Sequence, residues 1–243
     1  MTKPSVTFVS AFIDIGSTVK SAEHRMLLFK HLADSGISIH LFLSPSFSGQ
    51  YDAVVGKHTN VHVEFADLED LKTFHEISGL TYTVPTSNNP DKDTAAYHIV
   101  QNAKIEFVER VRRLEKTTHY AWIDFNICQM FSNVPECMEY LQTNMRLVQG
   151  LRMPGCWPKA SASIAENADF LSQIHWRFCG SFFIGDAASI QEMHDVYRRE
   201  FKNIVRTHGV LTWEVNIWHY LDARGLWNPI WYPADHNDSI IRA

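Results

Sequence analysis

The segment His119–Phe131, HYAWIDFNICQMF, is apolar enough to be a buried strand, yet it carries Asp124 at its centre and Asn126 two positions later. An isolated buried carboxylate is costly, so Asp124 has to be hydrogen-bonded, paired with a cation or bound to a metal. On a strand the two side chains point to the same side, and their oxygens suit Mg²⁺ or Mn²⁺. On spacing alone, a turn in which Asp124 accepts backbone hydrogen bonds is the simpler interpretation.

The rest of the chain alternates strand-like and helical segments around this one. Ser5–Ile13, the run ISIHLFLSP and the run NVHVEF are predicted strands, with an amphipathic helix between the first two. A single long helix is predicted from Thr94 to Glu115, and another over Cys137–Gln149. The order indicates one α/β domain with a central, mostly parallel sheet that is flanked by helices.

Composition narrows the classes of function. The chain has 243 residues, 45% of them apolar, and a net charge of −5, which argues against a protein that mainly binds nucleic acid. Its four cysteines form no CxxC pair and lack zinc-type spacing, so we expect reduced, mostly buried thiols and a cytoplasmic location. We also expect neither a signal peptide nor a membrane-spanning segment.

Polar residues follow several of the predicted strands. Ligands of open parallel sheets bind beyond the carboxyl ends of the strands. The candidates at such ends are Asp14, Asp124 with Asn126, Asp186, and the tail residues Asp235, His236 and Asp238. The tail is also explained by simple solvation.

Two further candidates lie on predicted helices. Glu214 falls in a first helical turn, where it either complements the helix dipole or acts as a general base. Lys104 borders a buried helix face, from which it either snorkels to solvent or reaches a phosphate.

Five motifs, taken in order, resemble one family. YAWIDFNI, MPGCW, WRFCGSFFIGD, TWEVNIW and WYPADHNDSI are similar to the HtrL/YibB-type (WlaTC-like) glycosyltransferases of bacteria and large DNA viruses. The resemblance implies a GT-A-type, Rossmann-like fold in a single domain, residues 1–243. The nucleotide would bind in the half up to about residue 130, and the donor sugar and acceptor in the remainder.

The resemblance also implies roles for individual residues. Ala11, Phe12 and Asp14 would hold the base and ribose, Lys104 would approach the phosphates, and Gly180 and Ser181 would lie by the donor sugar or acceptor. Asp124, Asn126 and His236 would bind Mn²⁺ or Mg²⁺ against the diphosphate of a nucleotide sugar, such as a UDP-sugar. Glu214, with Asp186 as second choice, would take the proton of a glycan acceptor. Asn126 departs from the family's acidic pattern, which leaves it as either a metal ligand or a contact to the donor.

Two other classes of function stay open. A non-catalytic nucleotide- or carbohydrate-binding protein of the same fold is compatible with the uncharged Asn126. A dinucleotide-dependent oxidoreductase is the weaker alternative, because no GxGxxG motif follows the first strand.

Overall fold

The structure, a computed structural model, describes residues 5–16, 21–87, 89, 92–159 and 168–242. Seven strands form one sheet in the order β3-β2-β1-β4-β6-β5-β7. Of these strands, β6 alone runs antiparallel to its neighbours, so the expected mixed, mostly parallel sheet is confirmed. The strands are β1 Val6–Phe12, β2 Ile39–Leu43, β3 Val61–Phe65, β4 His119–Ile123, β5 Leu151–Gly155, β6 Phe182–Asp186 and β7 Ile230–Pro233.

Helices cover both faces of this sheet, and β4 shows why. Tyr120 and Trp122 pack into one hydrophobic cluster, whereas Ala121 and Ile123 pack into the other. A strand buried on both faces needs an apolar side chain at nearly every position, which is the pattern of the opening segment. The helices are α1 Ala22–Asp34, α2 Ser48–Val54, α3 Lys72–Ile77, α4 Ala95–Asn102, α5 Lys104–Leu114, α6 Val134–Glu139, α7 Ala187–His208 and α8 Glu214–Ala223.

The predicted helix from Thr94 to Glu115 is two helices, α4 and α5, that meet at Ala103. The amide of Asn102 donates to the carbonyl of His98 at 2.7 Å and to that of Thr212 at 2.8 Å. Side-chain bonds to the backbone of this kind compete with the regular helical pattern. The break makes Lys104 the first residue of α5.

Two other boundaries differ from the predictions. The segment expected to be helical over Cys137–Gln149 is the short α6 followed by a π-type turn, Tyr140–Asn144. The segment RMPGCWPKASA, which begins at Arg152, is predicted to be irregular because it contains Gly155 and two prolines, whereas its first four residues lie in the strand β5. Its pairing with β6 and β7 overrides that local signal.

Among the helices that the structure describes, none has both the length and the apolar character needed to cross a membrane.

Candidate functional site

A cavity of about 600 Å³ lies beyond the carboxyl ends of β1 and β4. Ala11, Phe12 and Ile13 line it from the end of β1, and Asp124, Phe125 and Asn126 line it from the end of β4. The chain passes from β1 outward to β2 and β3 and then returns to place β4 on the other side of β1. Such a reversal of strand order opens a crevice, and this is where open α/β sheets bind their ligands.

Three charged side chains meet in this cavity. The Lys104 ammonium lies 2.8 Å from Glu214 Oε1 and 3.2 Å from Asp124 Oδ1, and it donates to the carbonyl of Gly180 at 2.9 Å. Its side chain is only 2% exposed, so Lys104 does not snorkel to solvent. One lysine between two carboxylates leaves the cluster with a formal charge of −1.

The protonated state of Lys104 is strongly favoured. Burial alone would lower its pKa, but the neighbouring carboxylates of Asp124 and Glu214 raise the pKa above its ordinary value. Glu214 is itself buried and begins α8, where the helix dipole stabilises a negative charge. Lys104 therefore supplies a buried positive charge between the two carboxylates.

Asp124 and Asn126 offer oxygen atoms that fit a divalent cation. The contacts of Asp124 with Trp122 Nε1, at 2.7 Å, and with Lys104 are both made through Oδ1. The Oδ1 atom of Asn126 is buried and has no hydrogen-bond partner among the described residues. A buried, unpartnered amide oxygen is costly unless a ligand uses it. Asn126 lies in the turn after β4, so the strand geometry expected for this pair is wrong.

Gly180 and Ser181 form the adjoining wall of the cavity. The carbonyl of Ser181 accepts the backbone N–H of Asp124 at 2.9 Å, which ties the wall to the end of β4. A Cβ atom on Gly180 would lie 2.1 Å from Glu214 Oε1. Glycine is therefore required for Glu214 to approach Lys104.

His236 lines the same cavity from the C-terminal segment. Its ring packs edge-on against Trp176, with 4.4 Å between centroids. Its Nδ1 atom lies 3.3 Å from Asp235 Oδ1 and 4.0 Å from Cys156 Sγ. This nitrogen thus has a carboxylate and a thiol as its nearest polar neighbours.

The structure does not bring Asp14 or Asp186 to the cavity lining. Asp14 accepts hydrogen bonds from the backbone of Gly16 and the hydroxyl of Ser46. Asp186 is the last residue of β6. Because β6 is antiparallel to β4, Asp186 pairs with His119, the first residue of β4, and therefore lies at the end of the strands opposite to Asp124. The expectation that Asp186 joins the other strand-end residues is wrong for this reason.

Instead, Asp186 caps α7. Its carboxylate accepts from the backbone N–H groups of Ala188 and Ser189 at the start of the helix, and from that of Gly150. Partial burial would raise its pKa, but these hydrogen bonds lower the pKa below the ordinary value. This is the environment of a structural cap.

Aromatic residues that the sequence alone did not single out complete the lining. Tyr97, Trp122, Trp176 and Trp213 all border the cavity. Burial raises the pKa of Tyr97, and the carboxylates of Glu214 and Asp124 raise it further, so its hydroxyl remains a donor. For Trp122, the sequence contained a usable signal: it lies two residues before Asp124, a spacing that brings the two side chains together.

Solved structures of distant proteins resemble this chain. A galactosyltransferase, LgtC, in complex with donor and acceptor sugar analogues matches with a TM-score of 0.45 and 10% identity, over 94% of this chain and 73% of LgtC. An active-site mutant of LgtC gives the same TM-score and identity, over 94% and 72% of the two chains. A likeness this distant carries no argument about activity. No curated protein matches the chain significantly.

Family membership rests on a separate match. A family model described as "Bacterial protein of unknown function (HtrL_YibB)" matches residues 65–211, which is more than half of the chain. The matched range contains Lys104, Asp124, Asn126, Gly180 and Ser181, and it ends three residues before Glu214. The chain therefore belongs to the HtrL/YibB family.

Proposed function

We propose that this protein is a GT-A-type glycosyltransferase that moves a sugar from a nucleoside-diphosphate donor to a glycan hydroxyl with the help of Mn²⁺ or Mg²⁺. The observation that carries the proposal is the cluster of Asp124, Lys104 and Glu214 in a cavity at the reversal of strand order. The sequence motifs that resemble HtrL/YibB-type glycosyltransferases agree with it.

The position and lining of the cavity support a nucleotide sugar as the ligand. The crevice at a reversal of strand order is the usual nucleotide site of open α/β sheets. Ala11 and Phe12, at the carboxyl end of β1, line the cavity and are proposed to contact the base and ribose. Tryptophan and tyrosine side chains present flat apolar faces and polar tips that suit sugar rings.

Local charge supports a cation in the same site. The three-residue cluster has a formal charge of −1, which favours a cation beside Asp124, while Arg25 and Lys92 on the cavity lining add positive charge that suits a diphosphate. Asp124 and Asn126 would hold the cation through oxygen atoms, which Mg²⁺ and Mn²⁺ prefer. When bound, the metal would act as a Lewis acid that stabilises the leaving diphosphate. Lys104, through its bond to Asp124, is proposed to fix the orientation of that carboxylate.

Glu214 is the proposed proton acceptor on the acceptor side. In an inverting transfer, the bond between the anomeric carbon and the diphosphate oxygen breaks, and its electron pair leaves with the nucleotide. The acceptor oxygen bonds to the same carbon while its proton passes to a carboxylate. Glu214 lies 2.8 Å from the Lys104 ammonium in the first turn of α8, and these contacts would hold its carboxylate in place on the cavity lining. In a retaining transfer, Glu214 would orient the acceptor instead.

A second candidate, a nucleotide- or carbohydrate-binding protein without turnover, is favoured by one observation. Asn126 is uncharged at the third position of the acidic DxD-type motif that the resemblance to GT-A enzymes implies, so the cation would have one negative ligand fewer. Hydrolysis or transfer of a donor sugar in the presence of Mn²⁺ would exclude this candidate.

Calorimetric titration of UDP and GDP, with and without Mn²⁺, tests the proposed binding site. We expect Mn²⁺ to tighten binding of one nucleotide by at least about tenfold, a change of 1.4 kcal/mol. The substitution Asp124→Asn should remove that gain, whereas Asp52→Asn, at an exposed carboxylate on α2, should retain it. Binding that ignores both Mn²⁺ and Asp124→Asn would refute the metal assignment.

A further inference from the structure

Two cysteines and a histidine that are far apart in sequence converge beside the cavity, which His236 lines. Cys156 Sγ lies 3.6 Å from Cys179 Sγ and 4.0 Å from His236 Nδ1. The candidate ligand atoms of these three residues all lie within 4.8 Å of one another. Asp235 Oδ1 is 3.6 Å from Cys156 Sγ and supplies a nearby oxygen.

These distances match those of a tetrahedral thiolate site. Zinc–sulfur bonds of about 2.3 Å at tetrahedral angles place two sulfur atoms about 3.8 Å apart. Two cysteines, one histidine and one oxygen are also a donor set that binds Zn²⁺ in proteins. No sequence motif indicates this set, because the two cysteines are 23 residues apart and the histidine lies 57 residues further on.

Backbone hydrogen bonds hold the three contributing segments in place. Cys179 N–H donates to the carbonyl of Pro154 at 2.8 Å, and Cys156 N–H donates to that of Trp176 at 2.9 Å. The backbone of Ala234 donates to the carbonyl of Gly155, also at 2.9 Å. The segments that carry the candidate ligands are therefore joined by backbone hydrogen bonds. This pre-organisation lowers the conformational entropy that is lost when an ion binds.

We propose that Cys156, Cys179 and His236 bind a Zn²⁺ ion, with Asp235 as the nearest oxygen ligand. Soft thiolate ligands select Zn²⁺ over Mn²⁺ and Mg²⁺, so this site is distinct in chemistry from the oxygen site at Asp124. In this proposal, His236 binds the same ion as the two cysteines and is not a ligand of the cation at Asp124. Because Cys179 directly precedes Gly180 and Ser181, the ion would fix the wall on which Lys104 and Asp124 depend.

Cobalt binding to the full chain tests the proposal, because thiolate ligands give Co²⁺ an intense near-ultraviolet charge-transfer band and carboxylates do not. Reduced, metal-free protein is titrated with Co²⁺ and then with Zn²⁺ in competition with a chromophoric chelator. We expect the band to appear, to saturate at about one equivalent and to be displaced by Zn²⁺. Cys156→Ser and His236→Ala should each weaken Zn²⁺ binding by at least about tenfold.

Two controls separate this site from its alternatives. Cys128→Ala removes a buried thiol that is not part of the Cys156, Cys179 and His236 group, and Asp124→Asn removes the oxygen site; both should keep the cobalt band. Absence of the band, an undiminished band with undiminished Zn²⁺ affinity in Cys156→Ser, or loss of the band in Asp124→Asn would overturn the proposal. So would a Cys156–Cys179 disulfide that forms in air and is unaffected by Zn²⁺. None of these readouts depends on nucleotide binding, so failure here is distinguishable from failure of the proposed glycosyltransferase.

Discussion

Lys104 lies between two carboxylates, Asp124 and Glu214, that come from different parts of the chain. A buried ion pair of this kind is weak evidence of net stabilisation, but removing one partner leaves an uncompensated charge in the interior. Lys104 is almost completely buried, and its carboxylate partner Glu214 is 5% exposed. The lysine is therefore the residue on which the electrostatic balance of the cavity depends.

Substituting Lys104→Met should lower the free energy of unfolding by about 3 kcal/mol, because Glu214 and Asp124 then face each other without a cation. Urea denaturation measures the change. Adding Glu214→Gln to Lys104→Met should recover at least about 1 kcal/mol, since the neutral amide relieves the repulsion. Lys30→Met, at an exposed pair with Asp34, should change stability by less than about 1 kcal/mol. Additive effects of the Lys104 and Glu214 substitutions would contradict this account.

The contact between Lys104 and Glu214 also depends on the absence of a side chain at Gly180. Gly180→Ala places a methyl group against Glu214 Oε1, so the substitution should cost about 1–3 kcal/mol of stability. The cost should fall when Glu214 is also replaced by alanine. Gly49→Ala, in α2 where a Cβ meets nothing within 4 Å, should be neutral or slightly stabilising. Equal effects at the two glycines in chemical denaturation would rule out the proposed crowding.

Element directions explain why the two aspartates at the ends of β4 and β6 differ in role. β4 and β6 are antiparallel, so Asp124 and Asp186 lie at opposite edges of the sheet. One borders the cavity, and the other begins the 22-residue helix α7. The same residue type therefore lines the cavity at one end of the strands and caps a helix at the other.

Asp186→Ala should lower the free energy of unfolding by about 1–2 kcal/mol through the loss of the α7 cap. Nucleotide binding should remain unchanged, because Asp186 does not line the cavity. Asp186→Asn keeps an oxygen that can accept from Ala188 and Ser189, and it should retain most of the stability. Thermal or urea unfolding, together with calorimetry, distinguishes this result from a catalytic role, in which turnover would fall in both variants at unchanged stability.

The sequence predicted the first half of the sheet more completely than the second. The strands β1, β2, β3 and β4 show uninterrupted apolar or alternating patterns, and α1 follows from helical periodicity that ends at Gly36, whereas α2 and α3 were not predicted. The direction of β6 is set by long-range pairing with β4, and β5 contains Arg152 and Pro154, so local patterns revealed neither. Without β5, the approach of Cys156 to Cys179 could not be anticipated.

Asp124, Lys104 and Glu214 were identified singly, but only tertiary packing shows that they form one cluster.

Over the whole molecule, buried histidines make stability dependent on pH. Burial lowers the pKa of His98 to about 4 and that of His219 to about 4, and the unfolded chain protonates near pH 6.5. Between these values the unfolded state binds more protons than the folded state. The contribution of each histidine to stability is therefore present above pH 6.5 and is lost as the pH falls toward 4.

His98→Phe should flatten this dependence, because the ring that packs edge-on against Trp213 no longer titrates. We expect the slope of unfolding free energy between pH 6.5 and 4 to decrease by up to about 1 kcal/mol per pH unit. Urea denaturation at several pH values gives the slope. The exposed His24, replaced by Phe in α1, is the matched control and should leave the slope as in the unsubstituted protein. Parallel profiles for the two variants would contradict the assignment.

The proposed glycosyltransferase would transfer sugar from a nucleotide donor bound in the cavity at the ends of β1 and β4. The most direct measurement is the release of UDP or GDP from a panel of nucleotide sugars, with and without Mn²⁺. We predict release from at least one donor that requires Mn²⁺, falls by at least about a hundredfold in Asp124→Asn, and is unchanged in Asp52→Asn. Nucleotide binding without release from any donor, with or without candidate acceptors, would contradict the claim and identify a binding protein instead.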